Sequence, residues 1–150
     1  MPILKKITRY PIKGLSGENI EKILLEKNQV LPGDREFAFA RSHVLFDEKN
    51  PVYLRKTNFL ALVQDEKLAE LKTKFDHKSK RLIIKIKEEK VLDENLNNEI
   101  NLNKVESFFQ KHLGLSEKNK PKLVQGTKNE NTKDLKHSFS DLPDKVISIV

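Results

Sequence analysis

Cysteine is absent from the chain of 150 residues. That excludes disulfides, thiolate nucleophiles and thiolate-ligated metal from this stretch. No apolar run approaches the roughly 18 residues of a membrane-spanning helix. The opening Met1-Pro2-Ile3-Leu4-Lys5-Lys6 has no long apolar core of a secretory signal. The expected location is therefore the cytoplasm, with no membrane partner. Arginine is scarce beside lysine, at Arg9, Arg35, Arg41, Arg55 and Arg81 only. Ligand spacing such as His-x-x-x-His is missing, because His43, His77, His112 and His137 stand far apart. Ser16 and Ser140 lack a nucleophile elbow. Gly14-Leu15-Ser16-Gly17 lacks the length and the Lys-Ser/Thr ending of a phosphate-binding Walker loop. No internal repeat is visible.

The hydrophobic share is only 37% and the mean hydropathy is −0.61. The apolar residues nevertheless cluster in patterned runs, so the chain reads as folded. Its length fits one domain, or one domain and the start of another. The net charge of +7 permits nucleic acid or a phosphorylated ligand as partner. However, the lysines are scattered from Lys5 to Lys145 among acidic residues such as Glu18, Glu26, Asp65, Glu70 and Glu89. That is the mixed charge of an ordinary solvated surface.

Taken in order, Ile3 to Ile12 predicts a first strand ended by Pro11, and Gly14-Leu15-Ser16-Gly17 a turn. Asn19 to Glu26 predicts a second strand, antiparallel to the first. Pro32-Gly33-Asp34 is a turn, and Arg35 to Arg41 alternates as a half-buried strand with Phe37 and Phe39 facing the core. Val52-Tyr53-Leu54-Arg55 and Phe59 to Val63 predict two more strands. Leu68, Leu71 and Phe75 have helical spacing, which predicts a short helix between Asp65 and Phe75. Arg81 to Lys87 is the clearest strand, and Glu88 to Asn98 reads as a polar loop or edge with a weak strand at Val91-Leu92. Asn101 to Leu113 is the best helix, capped by Asn101 or Asn103 and stopped by Gly114. Leu123-Val124-Gln125 is a short strand, Gly126 to Lys136 is polar, and Val146 to Val150 is an apolar β run after which the chain is expected to continue. These elements predict an α+β, mainly β fold, of barrel or sandwich type, with one or two helices.

Two cations sit where presumed strands meet turns. Lys13 follows Tyr10-Pro11-Ile12, and Arg35 follows Pro32-Gly33-Asp34. Each could grip a phosphate, lysine as a point charge and arginine as a planar fork. Alone, each also reads as a surface cation. A second reading is a basic, non-catalytic β-barrel for nucleic acid, with Phe37 and Phe39 interleaved between Arg35 and Arg41.

Three stretches together carry a resemblance: Ile7-Thr8-Arg9-Tyr10-Pro11-Ile12-Lys13-Gly14-Leu15, Leu31-Pro32-Gly33-Asp34-Arg35-Glu36-Phe37, and Tyr53-Leu54-Arg55-Lys56 ahead of Phe59-Leu60-Ala61-Leu62. They resemble the N-terminal β-barrel domain of the MOSC family, in the pattern Tyr-Pro-(Ile/Val)-Lys-Ser-Leu, then Gly-Leu-x-x-Asp-Arg, then an arginine after a short strand. His137 to Asp141 with Val146 to Val150 resembles the first strand of the MOSC domain proper. The resemblance is weak from Lys67 to Thr132. It implies a domain over 1–132 and the start of a MOSC domain over 133–150.

By this resemblance, Lys13 and Arg35 hold the phosphate and pterin end of the molybdenum cofactor. Gly14 stands where the family usually has a serine, so only its backbone N–H could serve. Arg55 matches a position that is structural or lines the site, and Asp141 matches a recurrent acidic residue. At family level, binding of molybdenum ion and of pyridoxal phosphate is also implied. The full-length protein would be an oxidoreductase of N-oxygenated substrates, with a redox partner protein, or a sulfur carrier. The family's cysteine has no counterpart here, so this chain by itself is expected to be inactive and to provide no metal ligand.

Overall fold

The computed structural model describes residues 1–27, 29–126 and 137–141. The expected run Val146 to Val150, the segment 127–136 and the boundary at 132/133 lie outside them.

The fold is α+β and mainly β. Among the described residues the strands form three small antiparallel sheets and no closed barrel. The first is a ribbon of β1 (Ile7–Arg9) and β2 (Glu18–Ile20), with Ile7 opposite Ile20 and Arg9 opposite Glu18. Both strands are shorter than predicted. Pro11 has no ladder donor, and beyond β2 the side chains of Leu24 and Leu25 face solvent. Pro32-Gly33 makes a tight turn in which Asp34 N–H donates to the Leu31 carbonyl at 3.1 Å. Gly33 has φ +74°, the value the third position of such a turn demands.

β3 (Phe37–Ala40) pairs with β7 (Lys122–Gln125). All four β3 residues are buried, not the alternate ones alone. Phe37 and Phe39 join the main core, while Ala38 and Ala40 are small enough to let Phe59 and Phe139 close a second cluster over the other face. The third sheet is a meander of β4 (Leu71–Asp76), β5 (Arg81–Ile86) and β6 (Glu89–Asn95).

Several expectations are corrected here. The stretch predicted as a helix is a short 3₁₀ turn, Glu66–Glu70, followed by β4. The same leucines are buried by a change of conformation: Leu68 on the turn, then Leu71 and Phe75 four apart on one face of a strand that β5 hydrogen-bonds along its length. The weak strand expected at Val91-Leu92 is longer, forming the edge strand β6 where β5 offers a free edge. Val52 to Arg55 forms no strand, and Phe59 contributes only an isolated bridge to Ala40. After Leu60 the chain turns, held by the Asp65 carboxylate, which accepts from Ala61 N–H and from Arg41.

Helix α1 (Glu99–His112) starts earlier than predicted, because the Asn98 side chain accepts from Asn101 N–H at 2.9 Å. Its stripe of Val105 and Phe109 closes the main core, with the Phe109 ring 4.1 Å from that of Phe39. No helix among the described residues is long and apolar enough to cross a membrane.

Candidate anion site

Three backbone segments run side by side. Ile12 bridges Phe37 in parallel, and Lys13 N–H donates to the Phe37 carbonyl at 2.9 Å. Arg35 N–H donates to the Tyr10 carbonyl at 2.5 Å, and the Arg35 carbonyl accepts from Phe139 N–H at 2.9 Å. Residues 35–37 thus join the segment 10–13 to the segment 137–141. Positions distant in sequence become neighbours through main-chain hydrogen bonds.

Gly14 follows with φ +80°, and a side chain there would put its Cβ 3.1 Å from the Leu60 carbonyl. Glycine is required at this position for backbone reasons. Its N–H has no partner among the described residues. The turn folds Lys13 inward, leaving its side chain 7% exposed. Its Nζ donates to the Phe139 carbonyl at 2.9 Å and to Asp141 Oδ1 at 2.5 Å. The Tyr53 hydroxyl donates to the Asp141 carbonyl at 3.1 Å.

Arg35 has φ +46°, so its backbone is left-handed. Its guanidinium donates through Nη1 to Asp34 Oδ2 at 2.7 Å and lies 5.2 Å from the centre of the Tyr10 ring. The other Asp34 oxygen accepts from Tyr10 N–H at 2.8 Å, so one carboxylate holds both the turn and the guanidinium.

Electrostatics link the two cations. The Asp141 carboxyl is held below its ordinary range, first by the hydrogen bond from Lys13, against some burial, and then by the charges of Lys13, Lys56 and Arg35. Lys13 and Arg35 therefore act on the same carboxylate. The third cation, Lys56, and the Tyr53 hydroxyl carry no signal in the sequence that marks them as supporting groups. Arg55, the neighbour singled out instead, is exposed and has no side-chain partner among the described residues.

The Lys13 ammonium and the Arg35 guanidinium are donors of the kind that can hold an oxyanion. Among the described residues no group of three or more His, Cys, Asp or Glu side chains could hold a metal ion. His77 meets Glu18 and His112 meets the Lys67 carbonyl, both structural positions. Phe37 and Phe39 are 4% and 1% exposed, so neither offers a base-stacking face. Two surface grooves, of about 420 and 180 Å³, are lined by neither Lys13 nor Arg35. No protein-family model, no curated protein and no solved structure matches the chain.

Proposed function

We propose that this chain is the cofactor-gripping part of a MOSC-type protein and that it holds the anionic phosphate and pterin end of the molybdenum cofactor. The observation that supports this reading is geometric: main-chain hydrogen bonds join the segments that carry Lys13, Arg35 and Asp141, and the buried Lys13 ammonium there holds a carboxylate. A carboxylate presents two anionic oxygens, as a phosphate presents three. Lys13 would act as a buried point charge, strengthened by its desolvation. Arg35 would supply the guanidinium N–H groups that Asp34 does not take, and the Gly14 N–H would add a neutral donor. When bound, the cofactor supplies the redox chemistry, either reduction of N-oxygenated substrates or sulfur carriage. The chain contributes binding and orientation, and with no cysteine it contributes no thiolate to the metal.

The test is cofactor retention. Protein carrying these residues is purified from a host that makes the cofactor, and bound pterin is read by fluorescence after oxidation, with molybdenum measured alongside. The variant combines Lys13→Met, which keeps the bulk of the stem, with Arg35→Asn, which tolerates a left-handed backbone. Retained pterin is expected to fall by about tenfold or more, as for loss of charge-assisted contacts, with an unchanged circular dichroism spectrum. Equal pterin in both proteins, or none in the parent, overturns the reading.

A further inference from the structure

The anion site already contains an anion, and it belongs to the chain. The Lys13 side chain is 7% exposed, whereas that of Asp141 is 65% exposed. The buried ammonium is therefore paired with a carboxylate that is itself mostly exposed. We propose that Asp141 is an internal competitor: its carboxylate takes the place of one phosphate oxygen on Lys13, and a phosphorylated ligand binds by displacing it. This rests on the reading of Lys13 and Arg35 as an anion site.

The exchange needs only a side-chain rotation, because the main chain of this segment is anchored without the carboxylate. Phe139 is buried with its ring 5.0 Å from Phe46 and 5.2 Å from Phe59. Its carbonyl accepts from Lys13 Nζ and its N–H donates to the Arg35 carbonyl. Ser138 Oγ donates to the Asp34 carbonyl, and the Asp141 carbonyl accepts from Tyr53. The mostly exposed Asp141 carboxylate is resolvated as it leaves.

Charge favours the exchange. Once Asp141 has turned away, the Lys13 ammonium keeps only the Phe139 carbonyl as partner. A phosphate group carries about −1.5 to −2 at neutral pH. It offers that ammonium more negative charge than the single charge of a carboxylate.

Inorganic pyrophosphate, titrated into this chain by calorimetry at low ionic strength, is the probe. Asp141→Asn is expected to bind it about tenfold more tightly than the parent, a typical worth of one charged contact. Asp141→Ala serves as a second variant without the carboxylate. Glu88→Gln makes the same charge change on an exposed turn and is expected to leave affinity unaltered. Adding Lys13→Met to Asp141→Asn is expected to abolish the gain. Equal affinity in parent and Asp141 variants, still weakened by Arg35→Asn, overturns the competitor and leaves the anion site standing. Binding that is absent throughout, or indifferent to Arg35→Asn, overturns both.

Discussion

At position 14 the backbone, not the side chain, makes the demand. With φ +80° and the Leu60 carbonyl 3.1 Å from where a Cβ would sit, any side chain meets strain from two directions. Gly14→Ser is expected to lower stability by about 1–2 kcal/mol, from left-handed strain and the close approach together. Urea denaturation checks this, and an unchanged midpoint would show that the turn relaxes freely. The serine usual in the family would thus be strained at this position. Residue chemistry also explains which site groups were legible. Lys13 and Arg35 announce themselves because turn residues flank them, and both do sit on turns. Lys56 lies in a lysine-rich sequence with no local mark. Tyr53 matters only through its contact to residue 141, and Asp34 reaches residue 10 as well as its neighbour Arg35; the two long-range contacts have no local pattern.

Helix α1 shows how element boundaries escape a reading of spacing. The stripe Val105, Phe109 and Leu113 locates the body of the helix, yet four asparagines, Asn97, Asn98, Asn101 and Asn103, compete as caps. Only the extended backbone at Asn98, φ −141° and ψ 162°, lets its side chain reach Asn101 N–H. Asn98→Ala is expected to cost about 1 kcal/mol, the usual worth of a cap. Asn101→Ala is expected to be neutral or slightly stabilising, since alanine is the better interior helix residue. Thermal melts of the two variants compare them directly, and a larger loss for Asn101→Ala would move the cap. The turn and strand spanning Glu66 to Asp76 illustrate the converse. Helical spacing of Leu68, Leu71 and Phe75 is also satisfied by a 3₁₀ turn entering a strand, and the β5 edge decides between them.

For the molecule as a whole, acid is the expected weakness. The Glu18 carboxyl is lowered: burial raises it, but hydrogen bonds with His77 and Arg9 outweigh that. The Lys13 hydrogen bond lowers Asp141 against partial burial. Both contribute stability that is fully present above their unfolded values of 4.5 and 3.8 and is lost as pH falls through the lower folded ones. Glu106 runs the other way, raised by burial against the Leu123 N–H bond, and it favours the fold as pH falls. Thermal stability is therefore expected to decline below about pH 4.5, the ordinary glutamate range, and Glu18→Gln to reduce the decline. Melting temperatures flat from pH 6 to 3 would refute the balance. By itself the sequence determined the fold class, the clearest strand starting at Arg81 (one residue too long at Lys87), the body of α1 and the turns bearing Lys13 and Arg35, because periodicity and turn chemistry act over a few residues. Only the tertiary structure decided that the sheets among the described residues stay small and open, that Ala38 and Ala40 are buried beside the phenylalanines, and that Asp141 meets Lys13. Those outcomes depend on hydrogen-bonded edges and charges brought together from segments as distant as 13 and 141.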